Sequence, residues 1–284
     1  MADTKIQLLS RAVPANPTGN YSFHEKSLLI PHETLRREMI YGQKALEHYD
    51  PTSHPWKALC FHTWLMEFLF PAIHGHHELE ENVFFDYYKK LGVTFPDKQT
   101  DDHKTLMASL RQITDVSRRI LDLVSLGGNN TDQVKTAVEE LRSIFNTFVT
   151  HMDAHLNEEE AFWPAVVEKH GEKTFKKLED KIVSYGRKHE GKAFENLAAA
   201  VLYAAGIEIS NIEHYPEDTY WGGPEARAEL FAAFPYPVRA FLLPGWNKRY
   251  QRYKTMIHSV VGDRDILHLQ DQQGGCTAGS CIIA

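Results

Sequence analysis

From about Phe23 to Leu46 the apolar residues Leu28, Leu29, Leu35, Met39 and Ile40 recur near helical spacing. Turn signals follow at Asp50-Pro51 and Pro55. A second helical stretch runs from about Trp56 to Leu91, closed by Gly92 and Pro96, with Pro71 and Gly75 predicting a kink or a split inside it. A third runs from Asp101, a candidate N-cap, to Leu126, where Gly127-Gly128-Asn129-Asn130 is a strong stop. The fourth starts with Thr131 or Asp132 as its cap and continues to His170-Gly171, with a break expected near Pro164. No alternating apolar/polar run of strand type interrupts them. Four long amphipathic segments joined by short polar loops predict an all-α, up-down-up-down four-helix bundle over residues 23–170, after a loose lead-in at 1–22.

Past Gly171 the pattern changes. Lys173–Lys188 reads as a charged amphipathic helix and Ala193–Ala205 as an Ala-rich one. The stretches Tyr215–Pro224 and Phe234-Pro235-Tyr236-Pro237 are too rich in Gly, Pro and aromatics to form one regular element. Val238–Val261 is again helical, with a basic aromatic centre from Trp246 to Lys254. Residues 171–262 are therefore expected to be a helical extension packed on the bundle, and 263–284 a flexible tail.

Composition narrows the class. With 43% hydrophobic and 24% charged residues the chain is ordinary globular material, which excludes wholesale disorder. Its net charge of −7 argues against a nucleic-acid partner. No apolar stretch reaches the roughly 20 residues of a membrane span, and the start lacks a secretory pattern. Three cysteines, Cys60, Cys276 and Cys281, do not make a disulfide framework. A cytoplasmic protein is the expectation.

The placement of the sixteen histidines carries the chemistry. Superimposing His77 on His155 brings Glu80 onto Glu158, Glu81 onto Glu159, Phe84 onto Phe162 and Phe85 onto Trp163, a 78-residue offset that suggests duplicated helix pairs. His76 and Glu80 have the same spacing as His77 and Glu81, but at this offset only the second pair has a counterpart. Residues i and i+4 differ by about 40° around a helix, so imidazole and carboxylate point into one volume. Two such helices face to face surround one point with ligands suited to Fe, Mn, Zn or Ni, and a carboxylate pair can bridge two ions. His32 and His103, each among apolar neighbours, supply one more imidazole per half. Any one of these features alone more often marks a solvated face or a satisfied core histidine. As a matched set they point to metal, because buried Glu81 and Glu159 would be costly without a cation. His62, His74 and His76 receive no role on this reading.

The series His32, His77-x-x-x-Glu81, His103, His155-x-x-x-Glu159 resembles the hemerythrin-like, or HHE cation-binding, family over about residues 23–170. That resemblance implies two non-haem irons, oxo- or hydroxo-bridged and carboxylate-bridged by the glutamates, with O₂ as ligand or co-substrate. The oxygen carriers of the family have a second histidine four residues after the third-helix one, where this chain has Met107. One iron would thus lose a nitrogen ligand. Glu78 stands where iron-sensing members carry a glutamate and is one candidate replacement. His151, one turn before His155, is another, unless its role is structural or that of supporting a ligand.

Three functions are compatible with the resemblance: binding O₂ or sensing iron, oxygen or redox state; a di-iron oxidase or oxygenase acting on a small organic substrate; and an iron store or metal-stabilised interaction module. At the end of the chain, Cys281-Ile282-Ile283-Ala284 has the pattern of a prenylation signal, with Ala favouring farnesyl, and Cys276 is a candidate for palmitoylation. A prenyltransferase and the cytoplasmic face of a membrane are the partners this implies. The basic aromatic cluster at 246–254 either rests on an anionic leaflet or packs through its aromatics as a solvated basic helix.

Overall fold

In a computed structural model, residues 23–127, 130–204, 232 and 236–262 are described. The lead-in at 1–22, the tail at 263–284 and with it Cys276 and Cys281, and the Gly/Pro/aromatic stretch at 215–224 lie outside these residues. Among the described residues the chain is all helical, with seven helices and no strand. We number them α1 (Phe23–Glu47), α2 (residues 55–89), α3 (Asp97–Ser125), α4 (Thr131–His170), α5 (Glu172–Tyr185), α6 (Lys192–Ala204) and α7 (Leu243–Val261). None is long and apolar enough to cross a membrane.

The prolines do not divide the helices as expected. α2 winds without a split through Pro71, but two of its stretches, Leu65–Leu69 and Glu80–Phe85, are π-wound. Pro71 offers no amide hydrogen, and the π-wound turn directly upstream, where Phe70 N–H donates to the Leu65 carbonyl, takes up the change in pairing. α4 runs unbroken through Pro164 over 40 residues because Trp163 and Val167, buried on either side, pin that turn against its neighbours. It stops at Gly171, whose φ of 78° favours glycine. α3 begins four residues before Asp101, at Asp97. Extended Pro96 precedes it, and the Lys98–Asp102 and Lys104–Asp101 pairs span its first turns.

α3 packs on α4, α4 on α1 and α2 on α3. Their apolar faces meet around Phe61, Trp64, Phe68, Phe145 and Phe148. α1 and α4 come so close that a Cβ at Gly42 would sit 2.4 Å from the Phe145 ring, which explains glycine there. A smaller aromatic cluster, Phe84, Phe85, Tyr88, Trp163 and Phe175, joins the end of α2 to α4 and α5. α6 and α7 lie against α1 and α2 and share the main core through Ala200, Trp246, Tyr250 and Ile257.

One buried polar lock fixes this last contact. Tyr250 donates its hydroxyl hydrogen to Glu38 Oε1 at 2.7 Å, and Trp64 Nε1–H donates to Glu38 Oε2 at 3.2 Å. Burial pushes the Glu38 carboxyl up to about 7, against the lowering effect of those two bonds.

Candidate metal centre

Around a helix each residue advances about 100°. If His76 is set at 0°, Glu80 falls near 40° and His77 near 100°, so a face that buries both histidines has Glu80 at its middle. Glu81, near 140°, is left at its edge. The structure follows this arithmetic. His76, His77 and Glu80 are buried, whereas the Glu81 side chain is 30% exposed. On α4 the same geometry buries His155 and Glu159. α1 adds His32 and α3 adds His103, both buried.

These side chains form two groups that can hold metal ions. One is His77, Glu80, His103 and His155; the other is His32, His76, Glu80 and Glu159. Within each, one ligand atom per residue lies within 4.8 Å of the others. Glu80 turns Oε1 toward His76 Nε2 (3.3 Å) and His32 Nε2 (3.9 Å), and Oε2 toward His103 Nε2 (3.5 Å). Glu159 does the same from the other side. Its Oε2 lies 3.6 Å from His32 Nε2, and its Oε1 lies 3.5 Å from His155 Nε2 and 3.8 Å from His103 Nε2. Each carboxylate thus offers one oxygen to each group.

Electrostatics describe an interior short of positive charge. Burial would lower the His32 imidazole, but Glu160, Glu80 and Glu159 raise it to about 9. His103 is likewise raised to about 9 by Glu159, Glu80 and Glu81 against the effect of its burial. His76 and His77 are pushed far down by burial and by the neighbouring imidazoles. Burial and the Glu159 charge push the Glu80 carboxyl up, while His155, His103 and His32 hold the Glu159 carboxyl down despite its burial. Several inward-facing atoms still have no hydrogen-bond partner: Nε2 of His32, His76 and His77, Oε2 of Glu80 and both oxygens of Glu159. Native interiors rarely leave so many polar atoms unpaired in one place. Cations at the two groups would satisfy them together, so the donor set fits metal.

A further layer orients the ligands. His103 Nδ1 is 2.9 Å from Glu81 Oε1, and His32 Nδ1 is 3.1 Å from Glu160 Oε1. Each of these carboxylates directly follows one that faces both groups. Arg36 donates from Nη1 to Glu160 and from Nε to Asp153, both at 2.6 Å, within the buried interior. Such carboxylate–histidine pairs fix the ring orientation of metal ligands and raise their basicity. Phe85 stacks on His103 with centroids 5.8 Å apart, and Trp163 stacks on Phe85, walling this end against water.

Of the sequence-derived ligands, His32, His77, His103, His155 and Glu159 are brought together. Glu81 stands behind His103, outside both groups, because the helical face that buries both histidines centres on Glu80. Glu78 also points elsewhere and accepts a hydrogen bond from Asn82. His151 is exposed, and His62 is paired with Ser117. Sequence reasoning passed over His76, Glu80, Glu160 and Arg36. The signal was present one residue away: an offset of 79 lays His76, Glu80, Glu81 and Phe84 on His155, Glu159, Glu160 and Trp163. Phe84 and Trp163 are in fact in edge contact, with centroids 4.3 Å apart. Comparison of the chain with family models, with curated proteins and with solved structures gave no match in any of the three.

Proposed function

We propose that the chain is a hemerythrin-like dimetal protein with two non-haem irons, that α1–α4 form its up-down bundle, and that it binds O₂ or senses oxygen, iron or redox state. One observation carries the reading: Glu80 belongs to both of two buried His/Glu groups, and Glu159, a member of one with Oε2 3.6 Å from His32 Nε2, also brings Oε1 to 3.5 Å from His155 Nε2 of the other. His77, His103 and His155 would hold one ion and His32 and His76 the other, with the two glutamates shared between them. His77 supplies the nitrogen that α3 lacks at Met107, so the set has five imidazoles and two carboxylates. Iron so held would supply reversible redox chemistry with O₂. The chain orients the imidazoles through Glu81 and Glu160 and excludes water with Phe85 and Trp163.

The test is metal content per chain after expression in iron-supplemented cells. About two irons are expected in the wild type, with clear loss in Glu80→Ala and Glu159→Ala and retention in Glu78→Ala. Iron indifferent to Glu80 and Glu159 would sink the reading, and a full complement of Mn or Zn would correct the metal. Sustained O₂ consumption with an organic substrate would move the protein from sensor to oxidase.

A further inference from the structure

The segment 236–262 carries Arg239, Lys248, Arg249, Arg252 and Lys254 and no acidic residue, in a protein whose net charge is −7. Its inward stripe is fully used: Val238, Leu243, Trp246, Tyr250, Tyr253 and Ile257 are buried. The aromatics of the 246–254 cluster therefore face the protein. Arg249 is also engaged inward, by Glu195 and Asn196 of α6.

The outward side differs. The π-wound Val238–Leu242 leads into α7 and leaves Phe241 76% and Leu242 39% exposed, with Tyr236 69% exposed just before it. Helical spacing places Phe241, Gly245, Lys248 and Arg252 on one exposed stripe. Exposed apolar side chains are thus followed, over about 16 Å of helix, by exposed cations, with no acidic residue in the segment itself. Exposed aromatic and aliphatic groups followed by cations suit the boundary between acyl chains and anionic headgroups.

We propose that this edge is a docking surface for an anionic lipid bilayer, with Tyr236, Phe241 and Leu242 entering the headgroup–acyl boundary and Lys248 and Arg252 meeting lipid phosphates. This docking needs no lipid on the chain itself.

The experiment uses the full chain made in bacteria, where it carries no prenyl group, and co-sedimentation with vesicles of phosphatidylcholine with or without phosphatidylserine. Binding is expected only with phosphatidylserine and should weaken as salt rises. Phe241→Ser/Leu242→Ser and Lys248→Glu/Arg252→Glu should each lower the partition coefficient by roughly tenfold or more. Unchanged helicity and metal content in both variants show that the fold is intact, since the buried stripe is untouched. No binding to phosphatidylserine vesicles, or binding indifferent to both variants, would overturn the proposal. So would a dimer in analytical ultracentrifugation that Phe241→Ser dissolves, which would assign the face to a second copy of the chain.

Discussion

The two flanks of the candidate metal centre use the same device in different surroundings. On one, His32 leans on Glu160, which is held by Arg36, and all three side chains are nearly or wholly inaccessible. On the other, His103 leans on Glu81, whose side chain is 30% exposed. Nearby Asp102 is 29% exposed and is held by Lys98 from the surface. The pairs are related by exchanging the helix pairs: an α4 carboxylate serves an α1 histidine, and an α2 carboxylate serves an α3 histidine. A repeated motif therefore need not give equivalent sites. The sealed flank binds its carboxylate with a buried cation, and the open flank leaves its carboxylate to water.

The largest expected effect comes from unclamping the sealed flank. Arg36→Ala leaves Glu160 and Asp153 without their buried partner and should destabilise the metal-free fold by about 3–5 kcal/mol. Glu81→Ala on the open flank should cost under about 1 kcal/mol. Urea unfolding of both variants checks this, and equal losses would abolish the distinction.

Kinetics sharpen it next. Iron release to a chromogenic chelator should show two phases, the faster from the His103 flank. Glu81→Gln should speed that phase by about 10–100-fold and leave the slower one in place. A single phase in wild type would mean that the two positions empty together.

A pH series on metal-free protein addresses the same pair of histidines. Both imidazoles are raised to about 9 in the folded chain, above the ordinary 6.5. Their stabilisation is complete below about pH 6.5 and is lost as pH rises through 9. Thermal midpoints of the chelated protein should fall across that window. His32→Gln and His103→Gln should each flatten the fall by a similar amount, because both imidazoles are raised to about 9. The smallest effect belongs to Asp102→Asn. Its carboxylate is 3.8 Å from His155 Nδ1, too far for a hydrogen bond, so iron retention should change less than about twofold.

Much of this arrangement was legible in the chain. Helical periodicity placed α1 and α4 closely, and histidine spacing singled out five of the seven residues that converge. The rest was hidden for identifiable reasons. Two adjacent histidines and two adjacent glutamates on α2 admit pairings one residue apart, and repeat matching alone does not choose between them. Burial of both histidines chooses Glu80. Pro71 looked like a break because sequence periodicity assumes α winding, whereas the chain changes to π winding beside it. Arg36 is invisible to pattern reading. A charged residue in a helix looks like surface until a carboxylate 124 positions away is seen to hold it.

The Glu38–Tyr250 bond closes across 212 positions, and it bears on the order in which the protein is built. A chain leaving the ribosome from its N-terminus exposes His32 through Glu159 long before Tyr250 emerges. The ligand set can therefore assemble on α1–α4 while the flank of α1 that carries Glu38 is still wet. When α7 arrives it meets a carboxyl that binds a proton as it leaves water, since burial lifts Glu38 to about 7. Final closure of the molecule is then a proton-consuming step between about pH 4.5 and 7, separated in time from assembly of the histidines.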